Sequence, residues 1–393
     1  MIFHNSRVEI SKSALIHNVK IFKKIIGPKV RLMSVVKSNA YGHGLIEVSQ
    51  ILDKEKSVDF LATVNLEEAL FLRRNKIKKP LLVLSFYDLD KKQIQRAIGQ
   101  NISLVVYGLK QARFINQAAQ SLKKRAKIHF KVDTGTSRLG LPIAAAYKCI
   151  KTLLQYKNLF LEGLFTHYAA SEEMDQSFTL RQTHDFYHLI RRLEKENIVI
   201  PVKHAACSAA ALMNRQYHFD AIRLGVSLYG LWSLEDGHAI RKKYHLKPAL
   251  AWKTRVIQVK ELTKGATVGY GRTFKAKKKI KIAVLPVGYW DGYDRKLSGG
   301  PLGYARGGGE VLISGKRCKV LGRVCMNLIM VDVTGRNVKV GEEAVLIGQQ
   351  APRLRSGGRR EEITVDELAK KIGTINYEVV TRINPLINRL IVF

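Results

Sequence analysis

Residues 31–44 read RLMSVVKSNAYGHG. A short apolar run ends on a lysine, Lys37, and small and polar residues, a tyrosine and a Gly-His-Gly turn come next. The run reads as a strand. Seven more follow: FLATV (60–64), LLVLS (81–85), SLVVYG (103–108), KIHFKVD (127–133), FLEGLFTH (160–167), VIPVKHA (199–205) and AIRLGVSLYG (221–230). Helical patterns lie between them. In LEEALFLRRN, Ala69 and Leu70 stand three and four positions after Leu66, and FTLRQTHDFYHLIRRLEKEN is long, amphipathic and basic. Strands alternating with helices indicate βα units and a parallel sheet. Eight units in about 230 residues match the size of a (β/α)8 barrel. An open doubly wound sheet is the alternative that periodicity leaves.

The texture changes after residue 240. HLKPALAWKTRVIQVKEL opens a region of short alternating strands and frequent glycine: KIAVLPVGY, EVLISGKRCKVLG, LIMVDVTG and EEAVLIGQ. The fold class expected is therefore α/β, an N-terminal TIM-type barrel over 1–240 followed by a mostly β domain over 241–393. One late helix, TVDELAKKIG, starts at a threonine with Glu367 three residues after it, a capping pattern. APRLRSGGRR (351–360) is polar, rich in arginine and glycine, and expected to be a mobile loop.

The chain has 393 residues, 46% of them hydrophobic, enough for a large core without cross-links. Cys149, Cys207, Cys318 and Cys325 form no CxxC pair, so neither a zinc ribbon nor a dithiol redox site is indicated, and reduced thiols in the cytoplasm are expected. MIFHNSRVEISKS lacks the apolar segment of a secretory signal. No apolar stretch reaches membrane-spanning length. Lys plus Arg number 67 against 32 acids, a formal charge of +35. The basic residues are spread along the chain, and the densest run, KAKKKIK (275–281), has no aromatic within it. Single-strand binders alternate cations with stacking rings. A lysine-rich solvated surface is expected, and nucleic-acid binding is not.

In a barrel, catalytic groups come from the carboxyl ends of the strands. Here those ends carry Lys37; Lys131, Asp133 and Arg138; His167; His204, Cys207 and Ser208; and Arg223 with Gly225. A lone lysine or histidine at such a place is more often a surface cation or a satisfied core ring. So many polar ends exceed what packing needs. A buried lysine shifts its pKa readily, as Schiff-base chemistry requires. Ser208 opens a helix-forming run whose first N–H groups suit a phosphate. Lysine, phosphate cradle and room for a flat ring together suggest pyridoxal phosphate, with no metal.

These segments resemble the alanine racemase family. VVKSNAYGHG is similar to its cofactor-lysine motif. KVDTGTSRLG, GLFTHYA, HAACSAAAL, IRLGVSLYG, VGYGRTF, VGYWDGY, GRVCMNLIMVDV and NYEVVTRI follow in that family's order, across the whole chain. The resemblance implies that Lys37 bonds pyridoxal 5'-phosphate and that Tyr41, Ser208, the Gly225–Val226 backbone and Tyr377 take up its phosphate. Arg138 would contact the ring hydroxyl and the substrate carboxylate. His167 would lie against the ring and Arg223 would face its nitrogen. Tyr270 would be the second catalytic base, reaching the site of the other subunit in a head-to-tail homodimer. Met326 would bind substrate, with Cys325 and Tyr289 lining the entrance. The implied reaction interconverts L- and D-alanine by two bases, Lys37 and Tyr270, and feeds D-alanine to peptidoglycan precursors.

Arginine does not give up its proton, so Arg223 would leave the ring nitrogen neutral and favour racemisation over transamination. Two positions depart from the family pattern. Cys207 stands where asparagine is usual, and Asn327 where aspartate is common. Lys131 occupies a place where some members carry a carbamylated lysine. Barrel-plus-β decarboxylases of basic amino acids share the lysine but use a carboxylate at the ring nitrogen. Single-domain cofactor carriers lack the counterpart of Tyr270. A broader-specificity racemase is the nearest alternative, and Tyr377 is expected to narrow the pocket toward alanine.

Overall fold

The computed structural model describes residues 6–299, 308–350 and 361–393. The chain forms two compact units. One comprises Ala14–Ala40 and Val48–Lys247; the other takes in Tyr41–Glu47, Pro248–Phe393 and the residues up to Ser13.

The first unit is a barrel of parallel strands. They run Arg31–Val35, Phe60–Asn65, Leu81–Phe86, Ile102–Val106, Ala126–Asp133, Leu159–Phe165, Val202–His204 and Ala221–Leu224. The ring closes, because Ala221–Leu224 pairs with Arg31–Val35 (Arg223 opposite Met33) and Ile102–Val106 pairs with Ala126–Asp133 (Leu104 opposite Ile128). Closure removes the open-sheet alternative. The strands are covered on both faces, so they read as continuous apolar runs rather than alternating ones. Every residue of Ile102–Val106 is buried. Helices Leu66–Arg74, Lys91–Gly99, Leu109–Ser121, Ile143–Leu153 and Ser177–Glu194 alternate with the strands. Two start where side chains satisfy their open N–H groups: Asn65 accepts from Glu68 N at 3.0 Å, and Asp90 from Gln93 N at 2.7 Å.

The second unit is mostly β. Nine strands lie in the order Gln258–Leu262, Ile280–Leu285, Ile329–Asp332, Lys316–Leu321, Glu310–Ile313, Glu343–Gln350, Leu250–Arg255, Arg7–Ser11, Asn388–Val392, and Glu361–Ile363 pairs with Glu343–Gln350. Arg7–Ser11 is antiparallel to Leu250–Arg255 and parallel to Asn388–Val392. A hairpin of Thr267–Val268 and Phe274–Lys275 stands apart from this sheet. Helix Val365–Ile372 begins as its sequence indicates, with Thr364 accepting from Glu367 N at 3.0 Å. The arginine- and glycine-rich stretch 351–360 lies outside the described residues.

Candidate active site

Within the barrel unit, the carboxyl ends of the strands gather the polar groups. Lys37 follows Val35 by two residues, Lys131 and Asp133 end Ala126–Asp133, and His167 follows Phe165 by two. His204 ends its strand, and Arg223 lies in Ala221–Leu224 with Gly225 next.

The chain turns sharply after Lys37. Ser38, Asn39, Ala40 and Tyr41 are all left-handed, with φ of 56°, 54°, 51° and 54°. For L-residues this conformation costs about 1–2 kcal/mol each, so the surroundings must impose it. Glu68 is one restraint. Its carboxylate accepts from Ser38 N at 2.7 Å and from Val64 N at 3.1 Å. The sequence reading passed over Glu68. Its signal was there, since an acid three residues after Asn65 forms a helix-start pattern.

Cations dominate the site. Burial and the nearby Arg138 lower the pKa of the Lys37 amine, against the pull of Glu68. Burial, Arg138, Arg223 and Lys37 bring Lys131 down to about 8, although Asp133 pulls it upward. Burial and the same four cations hold His167 well below the usual histidine range. Burial also brings Arg223 down to about 10, which leaves it charged at neutral pH. Among the described residues Arg223 has no carboxylate partner. Its Nη2 donates to the carbonyls of Thr166 and Ala205 at 2.7 Å each and to His167 Nδ1 at 3.0 Å. Asp133 instead orders its own loop, accepting from Gly135 N at 2.9 Å and Thr136 N at 3.0 Å. The exposed Arg138 follows in that loop.

Ser208 opens the short helix Ser208–Met213, and its Oγ accepts from Gly225 N at 3.0 Å. Ser227, two residues past Gly225, has a buried hydroxyl without a hydrogen-bond partner among the described residues. Cys207 Sγ lies 3.2 Å from Ser171 Oγ, so the thiol has a hydrogen-bonding neighbour where an amide was expected.

The second unit carries the remaining residues singled out from the sequence. The rings of Tyr41 and Tyr377 stand 6.0 Å apart. Tyr377 lies in the helix Asn376–Thr381. Gly42 has φ +81°, and a Cβ there would fall 2.0 Å from the Val380 carbonyl oxygen, so only glycine fits. Tyr270 sits at the tip of the isolated hairpin, between Gly269 and Gly271, and is 72% exposed. The loop holding Tyr289 is joined to Cys325 and Met326 through backbone bonds, Tyr289 N to Cys325 O at 3.1 Å and Trp290 N to Met326 O at 3.0 Å.

Pyridoxal phosphate fits the barrel-unit group. A depressed lysine can attack an aldehyde. A cluster of cations lacking a matching set of acids suits a phosphate and a ring oxyanion. Ser208 Oγ accepts from Gly225 N and keeps its own proton to donate, and the Ser227 hydroxyl has no partner among the described residues, so both hydroxyls can donate to a phosphate.

Comparison with known proteins agrees with this chemistry. Residues 10–233 match the alanine racemase N-terminal domain and residues 249–391 the alanine racemase C-terminal domain. The alanine racemase of Methanococcus maripaludis is 38% identical over 392 residues, covering 99% of each chain. Alanine racemase 2 of Caldanaerobacter subterraneus is 37% identical, covering 99% of this chain and 95% of its own. Among solved structures, the Clostridium difficile alanine racemase superposes with a TM-score of 0.89 at 31% identity, over 100% of this chain and 97% of that one. The Bacillus anthracis enzyme with bound L-Ala-P gives 0.87 at 31% identity, over 100% and 96%. The chain belongs to the alanine racemase family of pyridoxal-phosphate-dependent isomerases.

Proposed function

We propose that the chain interconverts L- and D-alanine, with Lys37 and Tyr270 as the two proton-carrying groups. Tyr270 of the partner subunit completes each site in a head-to-tail homodimer, and the D-alanine serves peptidoglycan precursors in the cytoplasm. The observation that carries the reading is Lys37, an amine of lowered pKa at the carboxyl end of a barrel strand, held among cations. Bound pyridoxal phosphate supplies an electron-withdrawing ring that acidifies the α-proton of the amino acid.

The chain's own residues do the rest. Ser208, the Gly225–Val226 backbone, Tyr41 and Tyr377 would hold the phosphate. Arg223 would donate to the ring nitrogen and, staying charged, would not protonate it. His167 would lie against the ring. Arg138 orients the substrate carboxylate, and Met326 holds the substrate with Cys325 and Tyr289 at the entrance. Racemisation removes the α-proton from one face and returns one to the other. The Lys37 amine and the Tyr270 hydroxyl serve these two faces.

The test is α-proton exchange with L-alanine in heavy water, followed with optical rotation. Deuterium at Cα together with loss of rotation supports the proposal. A cofactor-loaded protein that exchanges nothing is a carrier, and the proposal fails.

A further inference from the structure

A file of buried side chains runs from Arg223 into the barrel core. Arg223 Nη1 lies 2.6 Å from His204 Nδ1. His204 Nε2 lies 2.9 Å from His129 Nδ1. His129 Nε2 lies 3.1 Å from the Glu162 carboxylate. The Ser103 hydroxyl donates to the same carboxylate, and Lys127 Nζ stands 3.5 Å from its other oxygen. His129 and His204 are fully enclosed, and Arg223 and Glu162 are buried.

Hydrogen-bond polarity fixes every proton in this file. A guanidinium only donates, so His204 Nδ1 must accept and its proton sits on Nε2. That proton is donated to His129 Nδ1, which places the His129 proton on Nε2, facing Glu162. A carboxylate only accepts, so the far end demands the same direction. A proton added to either imidazole would set donor against donor. Both rings are therefore neutral, in keeping with pKa values lowered chiefly by burial.

The surrounding strands make room for these rings. A Cβ at Gly163 would fall 2.1 Å from His129 Nδ1, so that strand can carry no side chain there. Phe165 stacks on His204, 4.8 Å between centroids and 4° from parallel. Among the described residues no acid bonds Arg223 directly. The Glu162 charge meets it only through two imidazoles.

We propose that Glu162 is a positioning residue for Arg223, acting through His129 and His204 in a relay of single polarity. The relay holds the guanidinium in place and compensates its charge without an adjacent acid that could share a proton with it. Its purpose rests on the reading of Arg223 as the residue facing the cofactor nitrogen; its polarity does not.

The first test is 15N NMR of the histidine-labelled holoenzyme at neutral pH. His129 and His204 are expected to carry their proton on Nε2 with an unprotonated, hydrogen-bond-accepting Nδ1. A proton on Nδ1 of either ring, or an imidazolium, overturns the proposal whatever the variants do. The second test is Glu162→Gln, which keeps an acceptor oxygen and removes the charge. Both Nε2 protons should persist, the cofactor absorption band should shift, and kcat should fall about tenfold with KM within about twofold, as when an outer hydrogen-bond partner is removed. Glu162→Asp should restore the wild-type band. A Glu162→Gln enzyme with wild-type kcat and spectrum overturns the proposal. The predicted tautomers in a protein that does not turn over alanine would sink the proposed function and leave the relay standing.

Discussion

The Arg389 guanidinium donates two hydrogen bonds to the Gly42 carbonyl oxygen, at 3.1 Å from Nε and 3.0 Å from Nη2. It also donates to the carbonyls of Ile383, Asn384 and Ile387. A residue of the last strand thus ties down the turn next to Tyr41. Arg389→Met would leave four carbonyls without this donor. At about 1–3 kcal/mol for each buried group left unsatisfied, a loss of at least about 3 kcal/mol is expected, measured by urea denaturation. A loss under about 1 kcal/mol would show that water replaces the arginine without cost.

A second expectation concerns Gly288. A Cβ there would fall 2.2 Å from the Cys325 carbonyl oxygen. Gly288→Ala must push the Tyr289 loop away from Cys325 and Met326, in the loop between the strands Lys316–Leu321 and Ile329–Asp332. Overpacking of this kind costs about 1–3 kcal/mol. If Met326 and Tyr289 shape the substrate entrance, KM for alanine should rise more than kcat falls. Gly99→Ala is the control, because nothing lies within 4 Å and alanine suits a helix better. A Gly288→Ala enzyme as stable as Gly99→Ala would contradict the close approach.

The strands of the barrel were legible because each is buried on both faces and therefore reads as an unbroken apolar run. Residues gathered at one end of those strands were legible for the same reason, since seven of the eight runs end within two residues of their strands; the eighth, AIRLGVSLYG, was read through to 230 although its strand ends at Leu224. Arg7–Ser11 and Asn388–Val392 were not assigned. They are half-exposed, with burial alternating along Arg7–Ser11, and their partner lies at the other end of the chain. Local pattern does not report such pairing. The left-handed run Ser38–Tyr41 was illegible too, because none of its residues is glycine. His129 looked like one polar residue in a strand, and only the fold shows it against His204 and Glu162.

Acid should destabilise the protein in two stages. The folded-state pKa values of His129, His167 and His204 lie below the ordinary histidine value, chiefly from burial. Unfolded chains then bind protons that folded ones refuse, so stability falls as pH drops below about 6.5. Glu162 adds the second stage. Burial would raise its pKa, but bonds from His129 and Ser103 outweigh burial and lower it to about 2. Its contribution is present above about pH 4.5 and lost as pH falls toward 2, worth about 3 kcal/mol in all. Thermal unfolding followed from pH 8 to 2 should show Tm falling first near 6.5 and again below 5. Glu9 and Glu367, whose pKa values are also lowered, share the second fall, so Glu162→Gln should lessen it and keep the first.

Substrate breadth tests the role given to Tyr377. Its ring stands 6.0 Å from that of Tyr41. If the pair limits side-chain room, Tyr377→Ala should raise kcat/KM for serine relative to alanine, by up to about 10–200-fold for a change of this size in a pocket. Wild-type turnover of serine or lysine as fast as alanine would remove this reading of Tyr377.

On the proposed two-base mechanism, Tyr270→Phe should separate the two faces of the reaction. The hydroxyl is exposed in a single chain and the ring stays in place, so no loss of stability is expected. On that mechanism one base, the Lys37 amine, would remain after the substitution. A positioned acid–base group contributes about 10²–10⁴-fold, and racemisation should fall by that order. Proton exchange should respond unevenly. One alanine enantiomer should still take up deuterium at Cα with its configuration retained, because its α-proton faces Lys37. The other should exchange as slowly as the variant racemises, because its face has lost its base. If both enantiomers slowed equally, Tyr270 would not be a face-specific base. If neither slowed, the second proton would have to come from another group.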